Sequence, residues 1–399
     1  MDMLLFKDKK DCCGCGACFN ICPKNAITMQ EDMYGYIYPA INSSVCVDCG
    51  RCQKVCAFQN HTETNTPQVV YAAAAKSDDI IMKSSSGGIF TVLADYTIEN
   101  GGVVFGAAFD EEWNVKHIAV ENKEHLKLLR GSKYVHSSTG TTFKQVQEFL
   151  KSGKSVLYSG TPCQIAGLKA FLGREYDNLL TIDLICHGVP NNRMFRDYIN
   201  YLQQKEKGIV ADFTFRDKSI GWGKNGSVVI ETDNGKRYKK KLWESNSSYP
   251  YYFAESLINR ENCAACKYAC ENRPGDITLG DYWGIEKAHP KYLSDKSLNY
   301  SKGISVVIAN TEKGNRIIQK INGSVTLKPS DFELAATGNE RLRKSSECAS
   351  FREELLKLYE KGGWAELELH HDTSLGIKKY SSCIKSLIPP ALKRYLKGR

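Results

Sequence analysis

No stretch of the 399 residues approaches the roughly 18 to 20 apolar positions that a membrane-spanning helix needs. The opening, MDMLLFKDKKDCC, also lacks the basic, apolar, small-residue order of a secretory leader, so the sequence reads as cytoplasmic. In that compartment thiols stay reduced, which excludes a disulfide framework for the 16 cysteines and leaves ligands, catalysts or buried bystanders. Acidic residues are missing from one place. From Lys378 onward stand Lys379, Lys385, Lys393, Arg394, Lys397 and Arg399 with no acid among them. Much of the net charge of +9 gathers there, the body is close to neutral, and a broad nucleic-acid-binding face is excluded. The length suits two or three domains, and 42% hydrophobic with 25% charged residues is ordinary for a globular chain.

What the chain has is cysteine in pattern. Cys12, Cys15, Cys18 and Cys22 read CxxCxxCxxxC followed by Pro23, and Cys46, Cys49, Cys52 and Cys56 repeat the run. This is the spacing of a two-cluster ferredoxin, in which the last cysteine of each run crosses to the other [4Fe–4S] cube. Cys12, Cys15, Cys18 and Cys56 then hold one cluster, and Cys46, Cys49, Cys52 and Cys22 the other. Zinc sites pair CxxC halves across a longer loop, a poor match to two complete runs. Cys13 is spare. AITM and IYPAI, separated by a DMYGY turn, read as the short strands of such a unit.

After a polar linker at 61–68 the pattern changes. VVYAAAAK, GGVVFGAAF, SVLYSG and LLTIDLIC read as buried strands. Between and after them lie helices at 89–99, over TTFKQVQEFLKSG, from Cys163 to Gly173 and from about Asn192 to Gln204. This alternation predicts a mostly parallel α/β sheet, whose ligands gather at the carboxyl ends of the strands. Three loops fall there: KSSSGG at 83–88, SGTPCQ at 159–164 and CHGVP at 186–190, with GSKY at 131–134 joining from a connecting segment. The serine and glycine run after Lys83 offers hydroxyls and N–H groups before a helix, without the order of a nucleotide-hydrolysing P-loop; a plain turn and cap is the simpler account of that loop alone.

A third run, Cys263, Cys266 and Cys270, needs a fourth ligand. Cys186 is the first choice and Cys163 the second, since both follow strands; His289 is remote. Structural zinc competes with a cluster here.

In order, GTPCQ, DLICHGVP, FRDKSIGW, CAACKYAC and DITLGDYWG resemble the motifs of the family formed by the beta subunits of the coenzyme F420-reducing hydrogenases and dehydrogenases, which includes 7-hydroxymethyl chlorophyll reductase and bacterial members with a fused ferredoxin segment. The resemblance extends to about Leu342. It implies an iron–sulfur flavoprotein oxidoreductase with FAD, and it favours a third [4Fe–4S] cluster over zinc. It also implies flavin contacts at Lys83, Ser85, Gly87, Lys133 and Thr161. Cys163 or His187 stands as a proton donor beside the flavin, against an equal reading of His187 as a hydrogen-bonded neighbour of Cys186. No residue singles out the deazaflavin coenzyme.

The expected organisation is a dicluster ferredoxin-like domain at 1–62, a mostly parallel α/β flavin-binding body at 63–205 and 206–342, and a helical basic tail at 343–399. Arg216, Asp217 and Lys218, with Trp222, either orient an anionic substrate, shield a cluster or form the salt-bridged base of the hairpin GSVVIETDNGKRYKKKL. The tail suggests contact with an anionic membrane or an acidic partner, or only a solubilising surface. Expected partners are reduced ferredoxin or another redox protein and a small-molecule two-electron substrate. The alternative role is an electron-transfer subunit of a larger complex.

Overall fold

The computed structural model describes the chain at residues 5–347 and 350–387, with side chains as far as residue 375 except at 220. The N-terminal strands β1 (Ile27–Glu31) and β2 (Ile37–Ile41) form an antiparallel hairpin. The body is built on an eight-stranded sheet from β3 (Val69–Ala75), β4 (Val103–Phe109), β5 (Val115–Val120), β6 (Val156–Gly160) and β7 (Leu179–Leu184). A separate three-stranded antiparallel sheet holds β8 (Gly208–Thr214), β9 (Gly226–Thr232) and β10 (Arg237–Leu242). Strands β11 (Ile277–Asp281), β12 (Ser305–Ala309) and β13 (Val325–Ser330) complete the large sheet, in the order β13-β3-β12-β11-β7-β6-β4-β5.

The expectation of a mostly parallel sheet is corrected. Only β4·β6, β6·β7 and β7·β11 pair in parallel, while β12 inserts antiparallel between β11 and β3, and β5 and β13 close the edges antiparallel. A parallel neighbour needs a crossover to the opposite edge. The segment after β11 instead folds into short turns of helix beside that strand's carboxyl end, and β12 runs straight back. The directions still put the carboxyl ends of β3, β4, β6, β7 and β11 at one edge, where the predicted loops meet.

Helices cover both faces because their apolar residues recur at helical spacing. The helix Thr142–Lys151 buries Phe143, Val146 and Leu150 on one stripe, each contributing about 1.5–3 kcal/mol on leaving water. The helix Pro162–Leu172 starts with proline in its first turn and a reciprocal box between Thr161 and Gln164, as expected for a well-capped start. An aromatic cluster that includes Phe195, Tyr198, Phe213, Phe215, Tyr249 and Trp364 ties the helix Asn192–Glu206 and the small sheet to the long helix Arg352–Leu387. Among the described residues no helix is long and apolar enough to cross a membrane. The membrane contact suggested for the basic tail rests on side chains outside the described residues.

The N-terminal segment lies against the body. Thr139 Oγ1 donates to the Cys15 carbonyl at 2.9 Å, Asn20 Nδ2 to the Gly140 carbonyl at 2.8 Å, and Tyr268 OH to the Ala57 carbonyl at 2.7 Å. A Cβ at Gly167 would come within 2.7 Å of Cys15 Sγ, so glycine is what lets the cysteine loop pack on the helix Pro162–Leu172.

Candidate functional site

The structure brings the cysteines of the two N-terminal runs together in two groups. Cys22, Cys46, Cys49 and Cys52 line one small cavity near the surface. Cys12, Cys15, Cys18 and Cys56 are electrostatic neighbours in a more buried group, where burial pushes the Cys12 thiol up to about 11. Such thiols surrender their protons to a cation-rich core, the chemistry an iron cluster offers. Gly14 and Gly16 turn through φ 67° and 78°, which lets the loop wrap inward.

The third group differs from the expected set. Cys186, Cys263 and Cys266 are mutual neighbours, and the remaining thiol among them is Cys163. Cys270 stands apart, with its Sγ near the carbonyls of Lys267 and Asn272. Cys263 lies in the 3₁₀ turn Glu261–Ala265 and Cys266 caps it, and both have Cys163 as a neighbour. Burial raises Cys186 and pushes Cys263 up to about 11, while hydrogen bonds with Cys13 and Thr161 hold Cys163 below the usual thiol range. Cys13 is therefore no idle bystander. It is 3% exposed and hydrogen-bonds with both Cys15 and Cys163, joining the first group to the third. No three His, Cys, Asp or Glu side chains among the described residues are arranged to hold a single metal ion.

All four predicted loops meet at one cavity of about 560 Å³ at the carboxyl edge of the sheet. Ser84–Ser86, Gly131–Tyr134, Ser159–Thr161 and Cys186–Val189 line it, so Cys186 belongs to both the third thiol group and the cavity wall. The aromatic residues Phe90, Tyr134, Phe215, Phe253 and Trp283 supply flat apolar surface, and Arg130, Lys133 and Arg341 bring positive charge.

The individual candidates divide. Ser85 lines the cavity, its Oγ accepting from the Ser132 N–H at 2.7 Å. Thr161 lines it as the helix cap. Lys133 lines it with Nζ on the carbonyls of Leu128 and Arg130, and desolvation lowers its pKa to about 7. Two others do not face it. Lys83 is half exposed and ion-paired with Asp79 at 2.7 Å, one turn back on its own short helix. Gly87 packs on the sheet, where a Cβ would meet the Ala73 carbonyl at 2.3 Å.

His187 lines the cavity, but its Nε2 already donates to the Ala254 carbonyl at 2.9 Å, which favours the neighbouring-residue reading over the proton donor. Cys163 is not among the cavity-lining residues; its neighbours are the thiols. Arg216 lies in the wall, paired with Asp281 at 2.7 Å and standing 5.2 Å from the Trp283 ring. Lys218 donates to the backbone carbonyls of Ile81 and Ser86, and Asp217 pairs with Lys239 of the hairpin. The salt-bridged hairpin base thus accounts for Asp217, and the three charges do not act as one group.

Two residues that the sequence reading missed line the cavity and carry a buried nitrogen without a partner. Arg130 Nε and His136 Nε2 are buried, line it and have no hydrogen-bond partner in the protein. His136 is 5% exposed and its ring hydrogen-bonds the Cys13 carbonyl, while burial lowers its pKa to about 3 and keeps it neutral. Both flank the GSKY segment, whose adjacency was the available signal.

Thiol groups reaching from the surface to a cation-bearing, aromatic-lined cavity define an iron–sulfur redox protein. Comparison with known proteins makes the class specific. Residues 70–144 and 153–333 match the N-terminal and C-terminal models of the coenzyme F420 hydrogenase/dehydrogenase beta subunit, and residues 11–60 match the 4Fe-4S dicluster domain. The chain belongs to that family of beta subunits. It is 25% identical over 365 residues to the coenzyme F420-dependent sulfite reductase of Methanocaldococcus jannaschii, covering 86% of this chain and 52% of that protein. It therefore spans about half the length of that relative. It is 25% identical over 189 residues to one of the subunits of the F(420)H(2) dehydrogenase of Methanosarcina mazei, covering 44% of this chain and 53% of the relative. A chain of the F420-reducing [NiFe] hydrogenase complex from Methanosarcina barkeri aligns with a TM-score of 0.39 and 16% identity, over 70% of this chain and 90% of that one.

Proposed function

We propose that this chain is an iron–sulfur flavoprotein oxidoreductase that moves electrons between its clusters and FAD in the central cavity, and from there to or from a small-molecule substrate. FAD supplies the step that clusters lack, storing two electrons and exchanging them together as a hydride. The carrying observation is Cys186, which belongs at once to the third thiol group and to the cavity wall. The cavity residues fit the cofactor: unpartnered Arg130 Nε and the ammonium of Lys133 suit its phosphates, and the aromatic walls suit a flat ring. Cys163, Cys186, Cys263 and Cys266 are the proposed ligands of a third [4Fe–4S] cluster, in place of the set containing Cys270. Cys12, Cys15, Cys18 and Cys56, and Cys22, Cys46, Cys49 and Cys52, are the proposed ligands of the other two. Reduced ferredoxin or a similar protein is the proposed electron partner.

One finding favours a second reading, an electron-transfer subunit whose catalytic partner is another chain: a relative is itself named as a dehydrogenase subunit. Titrating the flavin-depleted protein with FAD and riboflavin tests the first reading. FAD should bind more tightly than riboflavin and bleach when dithionite-reduced ferredoxin is added. Failure of both flavins to bind would defeat it. With FAD bound and reduced, absence of turnover across candidate two-electron acceptors would favour the subunit role.

A further inference from the structure

We propose that Arg260 is the shared counter-cation of two redox centres, the Cys12 group and the Cys163 group, and that its charge sets the reduction potential of both. This rests on the reading that both groups hold [4Fe–4S] clusters.

Four arginines are buried in the described structure, and three have a carboxylate partner: Arg216 with Asp281, Arg273 with Asp183, and Arg352 with Glu261. Arg260, 2% exposed, has none within ion-pair distance among the described residues. Its hydrogen bonds go to neutral oxygens: the Cys12 carbonyl at 3.0 Å, the Ile37 carbonyl at 2.9 Å and Asn262 Oδ1 at 3.2 Å. It also stands over the Tyr38 ring at 4.5 Å. A cation taken out of water without a counter-charge is among the costliest things a fold can hold.

The ionisable groups around it include the phenols of Tyr38 and Tyr36, the His136 ring and the thiols Cys12, Cys263 and Cys13, with no carboxylate in ion-pair distance among the described residues. Cys163 also feels its charge. Gly14 has no side chain where a Cβ would meet the Arg260 guanidinium carbon at 3.2 Å, so the cation rests directly on the first cysteine loop. Four thiolates around an iron–sulfur cube leave net negative charge, and reduction adds more. A fixed cation beside two such cubes therefore favours the reduced state of each, in a medium that screens little. The clusters in turn supply the counter-charge that Arg260 lacks. The surface group lines a small cavity of its own, to which Arg260 does not belong, and its cluster serves as the comparison.

The test is an anaerobic redox titration, read by electron paramagnetic resonance, of the full-length wild type, Arg260→Met and Arg260→Lys. The expected result for Arg260→Met is a disfavouring of reduction by at least tenfold at the Cys12-group and Cys163-group clusters, 59 mV for one electron. The surface cluster should keep its wild-type potential, and Arg260→Lys should return the others toward theirs. Unmoved potentials in a fully iron-loaded Arg260→Met would overturn the inference. A wild type lacking iron in the third group would instead overturn the functional reading beneath it. Should Arg260→Met lose its clusters, the iron-free proteins decide. Apo Arg260→Met should unfold at a higher temperature than apo wild type, because an unpaired buried cation has gone, and a lower temperature would overturn the inference.

Discussion

The pair Arg273–Asp183 should govern whether the third cluster forms. Asp183 is the last residue but one of β7, three positions before Cys186, and Arg273 follows the CAACKYAC run. The two meet fully buried, with side chains 1% and 0% exposed. Arg273 Nε and one terminal nitrogen donate to Asp183 Oδ1 at 3.0 and 2.8 Å, while its other nitrogen takes the Tyr268 carbonyl at 2.7 Å. Asp183 also accepts from the Gly275 N–H and the Thr278 hydroxyl. The pair thereby fixes the loop bearing Cys263 and Cys266 against the strand that delivers Cys186. Arg273→Met strands a buried carboxylate and Asp183→Asn strands a buried guanidinium, each at a cost of about 3–5 kcal/mol. The thermal midpoint should fall by on the order of 5–10 °C. Because both belong to one network, the double variant should lose about 0.5–3 kcal/mol less than the sum of the singles. Iron per chain should fall from about twelve toward about eight, with the N-terminal clusters retained. Additive effects in the double variant, or full iron in both singles, would refute this account of the pair.

Other predictions use the same geometry. Lys133, lowered to about 7 by desolvation, binds fewer protons folded than unfolded between pH 7 and its ordinary value of about 10.4, so the stability of the flavin-free chain should rise with pH across that window. An anion held by Lys133 favours its charged form, so FAD affinity should fall as pH rises above 7, by at most about tenfold per pH unit, and become flat in Lys133→Met; isothermal titration at several pH values checks both slopes. Arg130→Met should weaken FAD roughly 10-fold and riboflavin hardly at all, measured by fluorescence quenching; equal losses for the two would sink the phosphate assignment. Gly167→Val should push the Cys15 loop off its helix and destabilise the chain by about 1–3 kcal/mol, visible as lower iron retention under mild denaturant.

How far the sequence could be read depended on how locally each feature is encoded. The dicluster segment was legible because each of its cysteine runs is contained in about a dozen residues. The strand-end loops were legible because buried runs such as LLTIDL announce their own ends. The same local logic met its limit at the third group, where CxxCxxxC suggested Cys270 and the fold brings Cys163 beside Cys263 and Cys266 from about a hundred residues upstream. Strands β12 and β13 escaped notice because nothing in their sequence states whether a buried segment returns beside its predecessor or crosses over. Arg130, His136 and Arg260 look like ordinary polar residues. Only tertiary packing leaves the first two with a nitrogen lacking a partner and the third without a carboxylate.

The most direct test of the central claim is a determination of iron, acid-labile sulfide, zinc and flavin per chain on protein purified without oxygen. The account predicts about twelve irons with matching sulfide, one FAD and no zinc. About eight irons accompanied by zinc, with no flavin even after reconstitution, would contradict it.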